Sequence, residues 1–135
     1  MSDGFNWNNF NILADSFIDE NDEAKQRTGV SRYYFETFCT ARDFLNRNKY
    51  YLNNKSKKIM TSNKSDVHNE TSKIFRKHKK FNNNEIGKII SKELNKLRKM
   101  RNQADYNQIN NNIDNMIKKS KIRSERILKL LKKLN

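Results

Sequence analysis

The sequence predicts an all-α fold, an antiparallel helical bundle of about five helices in a single domain spanning 1–135. Three observations predict it. Proline is absent and glycine occurs three times, so the turn punctuation of a many-stranded β fold is missing. Apolar residues recur at spacings of three and four along most of the chain, the period of helices with one buried face. The composition is rich in Lys, Glu, Leu, Ile and Arg, which favour helix. Hydrophobic residues make up 34% and the mean hydropathy is -1.10, so the core is small and its eight Phe and five Tyr supply much of it.

A first helix is predicted over about Asn8 to Ile18, with Trp7, Phe10, Ala14, Phe17 and Ile18 on its apolar face. The acidic run Asp19 to Glu23 ends it and caps the next. The second, about Asp22 to Asn46, carries Val30, Tyr34, Phe38, Ala41 and Leu45 on one face, widened by Phe35 and Phe44. So aromatic a helix needs several partners, which places it at the bundle centre. From Lys49 to Lys64 the chain is Lys, Asn and Ser around Ile59 and Met60, a flexible loop or a short helical turn. A third helix starts near Ser65, whose hydroxyl can cap it, with Val67, Thr71, Ile74, Phe75 and His78 inward. A fourth runs from Glu85 through Ile86, Ile90, Leu94 and Leu97 to Arg101. A fifth, about Gln108 to Leu134, buries Ile109, Ile113, Met116, Ile117, Ser120, Ile127, Leu131 and Leu134 and presents a basic outer face.

Charge divides the chain. Residues 1–54 carry a net -2 and residues 55–135 a net +16. A half this basic points to a polyanion, with a solubilised surface or an acidic partner protein as the plainer readings. The one cysteine, Cys39, excludes an internal disulfide and a Cys-rich zinc site. In an apolar helical stretch it reads as a small core residue. No metal or cofactor motif is present. No apolar run approaches the roughly 18 residues of a membrane span, and the first residues lack the basic and apolar regions of a secretion signal. A cytoplasmic protein is expected.

The densest chemistry is Arg101-Asn102-Gln103-Ala104-Asp105-Tyr106. At i, i+4 spacing Arg101 stands over Asp105, and Asn102 over Tyr106. Arg101 presents a rigid fork that suits a phosphate, Asp105 can fix that fork, Asn102 can bond a phosphate oxygen or a base edge, and Tyr106 offers a hydroxyl and a ring. The same residues also fit a surface ion pair worth under about 1 kcal/mol, with Tyr106 at the edge of the core.

Around that cluster the sequence resembles a superfamily. Arg27-Thr-Gly-Val-Ser31-Arg32-Tyr33-Tyr34-Phe35-Glu-Thr-Phe38-Cys-Thr-Ala41-Arg42 is similar to a helix of HEPN domains. Val67-His68-Asn-Glu, Phe75, and Leu97 with Arg101-Asn102-x-Ala104-Asp105-Tyr106 follow in the family's order. The resemblance covers about residues 5–132. It implies a small helical bundle that dimerises, many members being metal-independent ribonucleases of toxin–antitoxin, abortive-infection and CRISPR systems. The family's signature is an Arg, a polar residue and a His four to six positions on, meeting at a dimer cleft. Here Tyr106 holds the His slot, and a longer interval reaches Asn107 or Gln108. A tyrosine titrating near 10 is a poor general base at pH 7. The Arg-Asn-x-Ala-Asp-Tyr pattern resembles a subgroup of the family.

The resulting expectation is an RNA- or nucleotide-binding protein, able to act as a metal-independent endoribonuclease, in a toxin–antitoxin or antiviral defence setting. In that reading Arg101, Asn102, Asp105, Tyr106 and His68 are the catalytic set. Arg101 holds the scissile phosphate while His68 or Tyr106 moves protons. Arg32, Tyr33, Arg98, Lys118, Lys119, Lys121 and Arg123 bind RNA. The expected partners are RNA or a nucleotide, a second copy of the chain, and a cognate antitoxin or nucleotidyltransferase. Two alternatives stand beside it: a non-catalytic scaffold partnering a nucleotidyltransferase, and a general binder acting through the basic C-terminal helix alone.

Overall fold

A computed structural model describes residues 8–19, 22–62, 64–81, 85–106 and 112–134. Trp7, the side chain of Phe10, Asn107, Gln108 and Ile109 lie outside the described residues. Among those described there are six α-helices and no strand: α1 (Asn8–Phe17), α2 (Glu23–Arg47), α3 (Asn54–Met60), α4 (Asp66–Lys77), α5 (Ile86–Tyr106) and α6 (Ile113–Leu134), with a 3-10 turn at Lys79–Phe81. No helix among them is long and apolar enough to cross a membrane.

The central helix is α2, as its aromatic content requires. It packs against α1, α4, α5 and α6. The Asp22 carboxylate accepts from the amides of Ala24 and Lys25 and starts it. Lys49, in the left-handed region at φ 56, closes it, and the Tyr50 amide donates back to the Leu45 carbonyl. Val30, Tyr34, Phe38, Ala41 and Leu45 are all buried, and so is Phe44. Phe35 is not: it is 37% exposed.

Directions alternate along the chain, as an antiparallel bundle requires. Helices adjacent in sequence do run antiparallel: Asp15 meets Tyr33, Ser72 meets Ser91, and Glu93 meets Arg123. The two helices beside α2 that are distant in sequence run parallel to it. Gln26 bonds Asp114 and Thr37 bonds Ser124 along α6, while Tyr34 meets His68 and Phe44 meets Phe75 along α4. So α2, α4 and α6 point one way and α1 and α5 the other.

The 49–64 segment is not a loop throughout. Asn53 caps α3 by accepting from the Ser56 amide at 2.8 Å, and Met60 is 1% exposed beneath it. Asn46 donates to the Met60 carbonyl and Thr71 to its sulfur. Buried Met60, with Ile59 packed against the same core, docks a seven-residue helix in a Lys- and Asn-rich stretch, so six helices form where about five were expected. Ser65 stands before α4, but its side chain makes no capping bond.

The core has two parts. A large one joins α2, α3, α4, α5 and the end of α6 around Phe38, Phe44, Phe75, Ile90 and Leu97. A smaller one joins α1, α2, α5 and the start of α6 around Val30, Tyr33, Ala104 and Ile117. Cys39 is buried, and burial pushes its thiol up to about 12, as a core role requires.

Candidate functional site

The site grows from one stripe of α2. Arg27, Ser31, Tyr34, Phe38 and Arg42 are spaced four, three, four and four apart, so they share one side of the helix. Each contacts a residue of α4 or α5, or the ring beside it. Arg27 donates to the Ala104 carbonyl at 2.7 Å and Ser31 donates to the Asp105 carboxylate, fastening the end of α5. The Tyr34 ring lies 5.6 Å from the Arg101 guanidinium. The His68 ring stacks on Phe38 at 4.0 Å, and the Arg42 guanidinium stands 5.7 Å from the Phe38 centroid.

Arg101 is thereby held on three sides. Its Nε is 3.6 Å from an Asp105 oxygen, its Nη1 donates to Asn102 at 3.1 Å, and Tyr34 lies against its plane. The side chain keeps 25% exposure, so the fork is oriented yet reachable from solvent. Arg98, one turn earlier, donates to Asn69 of α4 at 2.8 Å. The α5 residues Arg98, Arg101 and Asp105 therefore face α4 and α2, while Glu93 and Met100 face α6.

His68 sits at the centre. Tyr34 Oη and His68 Nδ1 are hydrogen-bonded at 2.5 Å. Burial lowers the imidazole to about 4, with the Arg98, Arg101 and Arg42 cations acting in the same direction. Burial raises the Tyr34 hydroxyl above its ordinary value, against the pull of the Arg98 and Arg101 cations. At pH 7 the tyrosine is thus a phenol and the histidine neutral. The tautomer of the imidazole decides which of the two donates: the phenol to a bare Nδ1, or Nδ1–H to the phenol oxygen. An anion entering here would offset the guanidinium fields and make imidazolium easier to form.

The other residues singled out in the sequence are dispersed. Tyr33 is buried on the far side of α2, where its hydroxyl donates to Asp15 of α1; it does not reach Arg101. Arg32, about 100° round the helix from Ser31, is half-buried off the stripe. Tyr106 is 74% exposed at the end of α5, not at the core edge. His78 caps the far end of α4 among Tyr50 and Phe81.

The basic run of α6 is not one solvated face. Lys118 pairs with Asp114, Lys121 with Asp15, and Arg123 turns inward with Arg126 onto buried Glu93. Lys119 is exposed. None of these ion pairs includes Arg98 or Arg101. The residues that sequence reasoning missed at the site are Ser31, Tyr34, Phe38 and Arg42; their signal was the four-residue spacing of the α2 pattern itself.

Comparison with family models, with curated proteins and with solved structures finds no match.

Proposed function

We propose that this chain is a HEPN-like helical protein that binds RNA or a nucleotide phosphate at Arg101, works as a homodimer, and serves a toxin–antitoxin or antiviral defence setting. The observation that carries the binding reading is the gathering of Arg42, Arg98 and Arg101 around one neutral histidine, from helices separated widely in sequence. Cations drawn together this way disfavour further positive charge beside them, and an anion relieves that. The oriented fork of Arg101 matches a phosphodiester. The family resemblance supplies the setting and the dimer.

Metal-independent cleavage is the second reading, and His68 favours it. Its imidazole lies among the same cations that would hold a scissile phosphate, and phosphate binding would raise its pKa towards the working range. Tyr106, in the position the family pattern gives to His, stands 74% exposed at the end of α5, where a second copy could cover it; within one chain His68 is the imidazole that lies among the Arg98, Arg101 and Arg42 cations.

One experiment reads both. Single-stranded RNA is incubated with the protein in EDTA, and binding and integrity are followed together. Arg101→Ala weakens binding by roughly tenfold to a hundredfold, the range of a charge-assisted contact. Binding unchanged in that variant overturns the proposal. Cleavage by the parent protein, lost in His68→Ala, selects the nuclease; intact RNA selects the binding module.

A further inference from the structure

Beside the Arg101 site lies a cavity of about 170 Å³ lined by Phe35, Phe38, Arg42, Ser62, Lys64 and His68, with Val67 behind them. We infer that it is a nucleobase subsite, which takes the base of the nucleotide whose phosphate sits at Arg101. The inference rests on the reading of Arg101 as a phosphate site.

Four features of the cavity carry it. The first is size: the cavity is below the roughly 300–1,000 Å³ of pockets that enclose whole drug-sized ligands, and suits one flat ring system. The second is Phe35. Its place in the apolar pattern of α2 would put it in the core, yet it stands 37% exposed and lines this cavity, and aromatic side chains are what bases stack on. The third is charge. Arg42 and Lys64 are among the lining residues and no carboxylate is, although Asp43 holds the Arg42 guanidinium from outside at 3.0 Å. Donor-rich walls suit the ring nitrogens and carbonyl oxygens of a base and repel cationic ligands. The fourth is continuity. His68 lines the cavity, stacks on Phe38, and is hydrogen-bonded to the tyrosine that lies against Arg101. Base and phosphate would therefore occupy the two sides of one imidazole.

The test uses a short single-stranded RNA carrying one 2-aminopurine, the same RNA abasic at that position, and 2-aminopurine riboside monophosphate. Stacking quenches 2-aminopurine fluorescence. The parent protein should quench the base and bind the abasic RNA about tenfold more weakly, in line with the loss of one stacked base. Phe35→Leu, which keeps an apolar side chain but no ring, should lose the quench while binding the abasic RNA as the parent does; Phe35→Trp should restore it. Quenching of the monophosphate alone assigns a free nucleotide as occupant, and quenching confined to the oligonucleotide assigns an RNA strand; either supports the subsite. Equal affinity for base-bearing and abasic RNA, or full quenching by Phe35→Leu, overturns the subsite and leaves the phosphate site standing. Undiminished binding of the abasic RNA by Arg101→Ala overturns the phosphate site instead.

Discussion

At the scale of single residues, two helical glycines show how identical substitutions diverge. Ala is favoured over Gly inside a helix by about 1 kcal/mol. At Gly87 on α5, a Cβ would stand 2.3 Å from the Phe75 carbonyl oxygen and 2.7 Å from Phe81 Cβ. Neither can yield without moving backbone, so Gly87→Ala should lower stability by about 2 kcal/mol or more. At Gly29 on α2, the near neighbour is the terminal carbon of Ile117, at 2.4 Å. A side-chain tip can rotate, so Gly29→Ala should lie within about 1 kcal/mol of the parent. Chemical denaturation of both variants checks the contrast; equal losses would contradict it. Residue identity also decides what the sequence could disclose here. Arg101 and Asp105 were legible because their spacing alone stacks them. The place of Tyr33 was not, because adjacent tyrosines look alike in a motif, while the helical turn sends Tyr34 to Arg101 and Tyr33 to Asp15.

At the scale of elements, α2 carries two titrating groups with opposite effects on stability. Glu36, on α2 itself, is 2% exposed; burial raises its carboxyl to about 7, against hydrogen bonds from Thr37 and Thr40. A carboxyl raised above its unfolded value stabilises fully below that value and loses the contribution as pH climbs from about 4.5 to about 7. His68, docked on α2 from α4, is lowered from 6.5 to about 4. Its contribution is complete above 6.5 and is lost as pH falls towards 4. Between these limits the two slopes oppose, so the parent's stability should change little with pH. Glu36→Gln should gain stability relative to the parent as pH rises from 5 to 8, and His68→Gln should gain as pH falls from 7 to 4. Each gain should be on the order of 1 to 3 kcal/mol across its pH range. The His68 gain should be the smaller, because its half-buried ring is partly screened by solvent. Melting temperatures across pH measure this, and parallel curves for all three proteins would refute it.

Element existence and type were readable from periodicity for α1, α2, α4, α5 and α6, because each has a long apolar stripe. The helix α3 stayed open between a loop and a short helical turn, since its seven residues carry a single deep apolar anchor, Met60. The α6 charges were hidden for a related reason. A run of Lys and Arg looks solvated until its partners are known, and Asp114 is on the same helix while Asp15 and Glu93 belong to others.

At the scale of the whole molecule, the formal +14 is distributed by the fold. Part of it is matched on α6 by Asp15, Glu93 and Asp114. Another part converges at Arg42, Arg98 and Arg101, around a histidine held neutral. No sequence pattern shows this, because parallel packing of α2 with α4 is what brings His68 over Phe38 and beside Tyr34. The fold class could be read from composition and period; the direction of each helix, and hence the membership of the site, depended on contacts between residues far apart in the chain.

The central claim is that polyanion recognition belongs to the α2–α4–α5 face and not to α6. Photo-crosslinking a 4-thiouridine RNA to the protein, with the attachment points read by mass spectrometry, tests it most directly. The account predicts crosslinks at Phe35 or His68, lost together in Arg101→Ala. Crosslinks confined to Lys118–Arg126, and unaffected by Arg101→Ala, would contradict it.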